Sequence, residues 1–304
     1  MKLKQKIVTS LLVAFCLCNL SGCSRSNTAQ AANVLSFNLN TITDVTISYD
    51  EEAITFFQSD SDELIIKEYM TENKSRYYAD VKQNNGSIHV SEGGKPLFNN
   101  SFTRYIEVYL PQKYQANLTV TTTDGNIDIS DLTLNLISLR IESTTGTIQL
   151  GNANAAVLYL SSTSGKLDLG NIAGEQLKLD TTSGKVTCKE LNGAVTYTTT
   201  SGDIDVNSAI GSGSYRVNNS GKLSVAYTEV TGNLSFFNKK DNIELALPRA
   251  LEFVFEATTK NGSVSTSFQK SIHVDGHTIH GTVGSTPAVT VKIETNNGNI
   301  AVTQ

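Results

Sequence analysis

The chain has 304 residues, a formal net charge of −5, 22 glycines, four prolines and no tryptophan. An acidic balance disfavours nucleic acid and other polyanions, which dock on basic faces. Apolar content of 39 % suffices for a long, narrow core, and no segment beyond the first twenty or so residues has helical periodicity, so the expected fold is all-β.

Lys2, Lys4 and Lys6 form a positive start, and Ile7 to Cys18 is an apolar run too short to span a bilayer comfortably. Leu20-Ser21-Gly22-Cys23 follows and resembles the bacterial lipobox. That resemblance implies a signal peptide over 1–22, cleavage before Cys23, and acylation of its thiol (diacylglyceryl and palmitate). Losing the leader removes three lysines and no acids, which takes the charge from −5 to −8. Such a chain is not expected to dock electrostatically on anionic lipid. Residues 23–33 read as a small, polar tether. The expected address is lipid-anchored and extracytoplasmic, on the cell membrane or the outer membrane, since Ser24 is not an inner-membrane retention signal.

Residues 34–105 contain short alternating runs, VLSFNLN, DVTISYD and ITFFQSDSDELIIKEY, and read as an N-terminal β cap that covers the first open edge. From 106 onward the pattern is regular. Gly125, Gly146, Gly165, Gly184, Gly202 and Gly221 stand 21, 19, 19, 18 and 19 residues apart. Five residues before the glycine come Val120, Ile141, Leu160, Leu179, Tyr197 and Ile293; seven before come Leu118, Leu139, Leu158, Leu177, Val195 and Val291. Two and four after it come Ile127/Ile129, Ile148/Leu150, Leu167/Leu169, Val186/Cys188, Ile204/Val206 and Leu223/Val225. Alternation means strands, and columns recurring at one period mean coils stacked in register, a parallel β-solenoid of about 19–21 residues per coil. An antiparallel sandwich would show alternation and turns but not these columns. Glycine is expected at the corner for a positive φ.

Near residue 241 the glycine is missing and Asp241 to Leu245 fill the slot. Ile106 to Pro111 matches Ile243 to Pro248, each proline 14 residues before a repeat glycine, which suggests a longer duplication and strand ends at both prolines. Asp275-Gly276 predicts a hairpin near 271–280. Residues 289–302 then supply the closing strands of a solenoid, with its C-terminal cap, that runs over 106–304.

An I-E-V-x-L-P strand joined to serial T-x-x-G-x-I-x-V coils behind a lipoprotein signal resembles the bacterial putative-adhesin family, envelope β-solenoids otherwise classed as a domain of unknown function. The resemblance implies an extracytoplasmic solenoid over Val34 to Gln304 and brings no catalytic residues.

Candidate chemistry is sparse. Cys188 falls in an inward column and reads as a small buried hydrophobe; Cys16 and Cys18 leave with the signal. With Asp275-Gly276 as the turn, His273 and His280 become diagonal neighbours and His277 faces away, two ligands and no third for zinc. Asp124, Asp128, Asp168, Asp203, Asp205 and Asp241 face outward among Lys166, Lys185 and Lys222, as on a solvated face. The Ser/Thr runs at 144–145, 163–164, 181–183 and 199–201 are expected to satisfy the turn backbone. Hence no catalytic, cofactor or metal site is expected, and Cys23 is the one modification site. The expected partners are a membrane, through the Cys23 lipid, and an envelope glycan or protein. The reading is a surface-binding or structural module of the cell envelope; the alternatives are a component of envelope-stress sensing and a carbohydrate-active β-helix enzyme.

Overall fold

Strands of alternating character can bury one side only against copies of themselves, and the computed structural model shows how this chain arranges that. It describes residues 30–97, 101–268 and 272–304; Cys23, the leader and most of the tether lie outside them. The early strands are β1 (Asn33–Asn38), β2 (Asp44–Ser48), β3 (Ala53–Ser59), β4 (Glu63–Met70), β5 (Asp80–Asn84), β6 (Ser87–Ser91), β7 (Arg104–Pro111) and β8 (Asn117–Thr122). Six long strands follow: β9 (Ile127–Ser143), β10 (Ile148–Ser162), β11 (Leu167–Thr181), β12 (Val186–Thr199), β13 (Ile204–Val217) and β14 (Leu223–Asn238). The rest are β15 (Ile243–Ala246), β16 (Phe253–Thr259), β17 (Val264–Thr266), β18 (Ile272–Asp275), β19 (Thr278–Val283), β20 (Val289–Thr295) and β21 (Ile300–Thr303). No α-helix occurs among the described residues, and none there is long and apolar enough to cross a membrane.

Each long strand runs along one face of a coil, bends, and continues along the other, so a coil is one strand plus one glycine corner. Successive coils pair parallel and in register, Ile127 with Ile148, Leu167, Val186, Ile204 and Leu223 in turn. The fold is the expected parallel β-solenoid. Residues of the predicted columns are at most 4 % exposed, and each contributes about 1.5–3 kcal/mol by leaving water. Tyr197, Tyr215 and Phe236 stack inside three successive coils, with centroids 6.5 and 4.8 Å apart.

The corner glycines answer to a different constraint from the one expected. Gly125, Gly146, Gly165, Gly184 and Gly202 do not have positive φ. What excludes a side chain is the coil beneath: a Cβ on Gly146 would lie 1.9 Å from the Gly125 carbonyl oxygen, and one on Gly165 2.0 Å from that of Gly146. Real Cβ atoms do not approach so closely, so the ladder holds only glycine. Of the corner series only Gly221 has a positive φ, +148°. At 241 the turn is built otherwise: Asn238, fully buried, accepts the Asp241 N–H, and Asp241 Oδ2 accepts the Gly221 N–H at 2.8 Å.

The order of levels differs from the chain order at both ends. On one face the parallel strands run β6–β2–β8–β9–β10–β11–β12–β13–β14–β20–β16. On the other they run β7–β3–β9–β10–β11–β12–β13–β14–β15–β21–β17. Eleven levels at strand spacing make a stack about 48 Å high. Residues 44–59, assigned from sequence to the N-terminal cap, are therefore a full level, with Val45 on Leu118 and Ile54 on Ile127. They lie between the array and the later segment 87–111. At the far end the last strands, 289–303, lie between the array and the earlier segment 253–266. The first coil and the last strands are thus each held on two sides, while β1 lies on β4 alone.

Antiparallel strands cover the outer levels: β4 on β7 and β1 on β4 at one end, β5 on β6, and β19 on β16 with β18 beyond it at the other. Phe268 closes the C-terminal core edgewise against Phe253 and Phe255. In the β18–β19 hairpin the turn residues are Gly276 and His277, one residue later than expected, because Asp275 pairs with Thr278 and Gly276 takes the φ of +57°.

The carbonyl contact predicts an ordering. Gly165→Ala should lower stability by about 1–3 kcal/mol or more through overpacking between two coils. Gly276→Ala, with nothing within 4 Å of its Cβ, should cost only the left-handed backbone conformation, about 1–2 kcal/mol. Urea midpoints of the two variants check this, with Gly165→Ala the more damaging.

Candidate functional site

Side chains that can meet a partner lie on the outward rows and at the corners. One row crosses the stack as Glu107, Thr55, Asp128, Gln149, Asp168, Thr187, Asp205, Ser224, Glu244 and Ala301. A carboxylate occupies every second level from Glu107 to Glu244. That places like charges about 9–10 Å apart, near the screening length of about 8 Å at physiological salt. The acids are thus kept apart by neutral residues in their own row. The lysines stand beside it: Lys166 Nζ meets Asp168 at 2.8 Å and Lys222 Nζ meets Glu244 at 2.7 Å. Hydrogen bonds from Lys166 and Thr187 hold the Asp168 carboxyl below the usual range. Asp205, Ser224, Glu244, Ala226 and Ala301 line an open trough of about 420 Å³.

On the opposite face Tyr159 lies between two cations, the Arg140 guanidinium carbon 4.3 Å and Lys178 Nζ 5.0 Å from its ring centre. Each cation also pairs with an acid of its own strand, Glu142 and Asp180.

The most charged buried site is one the sequence reading missed. At the N-terminal corner Arg104, its side chain fully buried, donates from Nη2 to Glu52 at 2.9 Å and to Glu92 at 2.6 Å, from Nε to Glu52 at 3.2 Å, and from Nη1 to the Tyr77 carbonyl at 2.7 Å. Lys95 Nζ lies 2.8 Å from Glu92, 3.4 Å from Glu51 and 3.5 Å from Glu52. These groups border a cavity of about 460 Å³ with Pro96, Phe102 and Thr103. Burial works to raise the Glu52 carboxyl, but Arg104 outweighs it and the group titrates below its ordinary value. At Glu92 burial wins and the carboxyl is raised. Close by, the fully buried Glu68 accepts from Asn33 Nδ2 and the Ala79 N–H. Two cations balance Glu52 and Glu92, so the cluster closes the corner as an internal salt. The partners stand 52 residues apart in the chain, and only the pairing of β3 with β7 brings them together.

Cys188 is buried in its column, its thiol pushed up to about 12 by desolvation. The corner hydroxyls satisfy the turn only in part: Thr122 and Thr199 Oγ1 accept the N–H groups of Gly125 and Gly202 at 3.0 and 2.8 Å, whereas the buried Ser143 and Ser162 hydroxyls, three residues before Gly146 and Gly165, have no protein partner among the described residues. His273 and His280 are directly opposed, not diagonal, with ring centres 6.1 Å apart. Glu256 is next in that row and is held by Lys292 at 3.0 Å. Among the described residues no group of three or more His, Cys, Asp or Glu could hold a metal ion. Cys23 lies outside the described residues.

Stacked in-register coils, a glycine corner ladder and capped ends define a parallel β-solenoid. The model of the Toastrack DUF4097 family matches residues 42–303, and the chain belongs to that family. The match begins at the level that the structure adds to the stack. Two solved structures are similar to it over most of their length. A putative adhesin from Parabacteroides distasonis is 14 % identical over 88 % of this chain and 96 % of its own, with a TM-score of 0.48. A putative cell adhesion protein from Clostridium sporogenes is 12 % identical over 90 % and 98 %, with a TM-score of 0.27. No curated protein matches the chain.

Removing Arg104 takes from the buried Glu52 both its guanidinium hydrogen bonds and from the partly buried Glu92 one of its two cations. Arg104→Leu should cost about 3–5 kcal/mol at pH 7. The depressed carboxyl of Glu52 gives stability above the unfolded carboxylate range that is lost as pH falls through its folded value. The deficit of the variant should therefore shrink below about pH 4.5, as acids without a cation become protonated. Denaturant titrations at neutral and acid pH check both parts. Cys188 should resist thiol reagents in the folded domain and react fully on unfolding, measured by mass in a chain beginning at Ser24.

Proposed function

We propose that this protein is a non-enzymatic binding or structural module of the cell envelope, anchored by a lipid on Cys23 at the extracytoplasmic face of a membrane. Leu20-Ser21-Gly22-Cys23 supports the anchor, and the single observation that carries the module reading is the division of labour within each coil. Inward columns are apolar and filled from end to end, while charged and polar groups are sorted into straight outward rows at strand spacing. Such rows suit a partner that is itself extended and repetitive, an envelope glycan or the surface of a neighbouring protein. The Toastrack family membership accords with this reading.

Binding of a chain beginning at Ser24 to an array of glycans and envelope polymers tests it, alongside Lys185→Ala combined with Asp205→Ala. The reading expects binding to one polymer class, weakened about tenfold by the double change, the equivalent of about 1.4 kcal/mol. Absence of any captured polymer or protein, or binding indifferent to the outward rows, would overturn it.

A further inference from the structure

Four strands among the described residues pair on one side only: β1, β5, β17 and β18. Three of them are short or guarded. β17 has three residues, β18 has four and ends on Asp275, and β5 carries Asp80 and Lys82 on a fully exposed run. β1 differs. Its six residues, Asn-Val-Leu-Ser-Phe-Asn, hold no charge and no proline, and their register on β4 runs without a bulge. Those are the devices that ordinarily keep a free edge from recruiting another strand. Which backbone groups face that edge follows from the pairing beneath it. The Thr71 N–H donates to the Thr103 carbonyl at 3.1 Å, so β4 turns Tyr69, Lys67 and Ile65 to β7. From the other side the Ala32 N–H reaches the Glu68 carbonyl at 2.8 Å. Glu68, Ile66 and Leu64 therefore bond to Asn33, Leu35 and Phe37. Antiparallel bonding alternates along a strand, which directs the N–H and C=O groups of Val34, Ser36 and Asn38 at the free edge.

This edge is complementary to itself. Turned antiparallel about a twofold axis at Ser36, two β1 strands set Ser36 against Ser36, and Val34 against Asn38 in both directions. Every outward-directed backbone group of the edge then finds a partner. Val34 pairs with Lys67 and Asn38 with Glu63 on β4, so the row across the junction sets Lys67 of one copy in line with Glu63 of the other. Registers that oppose Val34 to Val34, or Asn38 to Asn38, put like charges in line instead and leave edge groups unpaired. On the other face the partly buried Leu35 meets the second copy's Phe37. We infer that β1 is a self-association edge: two copies join end to end through antiparallel β1 strands, and one sheet continues from solenoid to solenoid. A closed twofold contact uses both open edges at once and leaves none of the pair for a third copy. The pairing depends neither on the Cys23 lipid nor on what the outward rows bind.

The experiment uses the full chain, first in intact envelopes and then purified in detergent. Cys188 is buried, so an added edge cysteine reports above the background of the parent chain. Ser36→Cys lies on the axis, where opposed residues stand at a separation that a disulfide spans. Mild oxidation should link it into a dimer several-fold more than the parent chain, and several-fold more than Lys82→Cys on the β5 edge. Val34→Cys and Asn38→Cys on separate chains should link to each other and not to themselves, which fixes the register. Ser36→Pro removes an N–H that β4 does not use, so β1 should keep its place. Sedimentation of the purified chain should then move from dimer to monomer while the urea midpoint stays near that of the parent. Ser36→Lys places a charge on the axis, keeps every backbone bond, and should have the same effect; it decides the matter where the proline variant does not fold. A parent chain that sediments as a monomer at its highest soluble concentration would overturn the pairing. So would links at position 82 equal to those at 36, or a dimer that survives Ser36→Lys.

Discussion

A carbonyl oxygen aimed at the Cα of the next coil governs this molecule. Neighbouring strands in a parallel sheet stand about 4.8 Å apart, and at the corner the backbone turns so that no room remains for a Cβ between levels. The Gly125, Gly146, Gly165, Gly184, Gly202 and Gly221 ladder is the consequence. Because every corner must superpose on the one below, every strand starts in the same phase. Inward residues then form columns and outward residues form rows. The straight acid row from Glu107 to Glu244 is as much a product of that contact as the buried leucines are.

A stack this regular has two open ends, each a template for further pairing. The chain deals with both in the same way, by ordering its levels differently from its sequence. Residues 44–59 are overlaid by 87–111, and residues 289–303 by 253–266, so the first coil and the last strands each lie between two others. Antiparallel strands and Phe268 then finish the cover. These pairings are long-range: β2 meets β8 across 73 residues at Asp44 and Asn117. Such contacts must await closure of large loops, which makes the ends slow to form relative to the neighbour-on-neighbour array.

That contrast explains what could be read from residues alone. The array was legible because its information is local and repeated: a glycine, two inward pairs, and a period near 19. The Pro111 and Pro248 correspondence was legible for the same reason, and Pro111 does end β7. Level order was not, because nothing in the run from Asp44 to Ser59 says which later segment lies above it. The reason for glycine was misjudged at the corner, where spacing between coils matters and φ does not. The hairpin turn moved by one residue because Gly276 in the first turn position supplies the φ that Asp275 would reach at a cost. The Arg104 cluster was invisible because a lone arginine and two glutamates, dispersed over Glu52 to Arg104, have no motif.

The cluster also shows where this architecture can change. Within the array a longer corner would lift one glycine off the carbonyl beneath it and deny the next coil its seat, so insertions there break two contacts at once. The outermost level has another coil on one side only, its other side being covered by β4 and β5. There the corner between β6 and β7 lengthens to 92–103, and the close approach at its foot is between Gly125 and the Glu52 carbonyl. The Glu52 side chain is free to turn toward the longer corner, and Arg104, Glu92 and Lys95 supply the order that a tight glycine turn supplies elsewhere. An ionic lock replaces steric registration where the stack stops repeating. It brings with it a cavity that a uniform level of the array, closed by a tight glycine turn, does not carry.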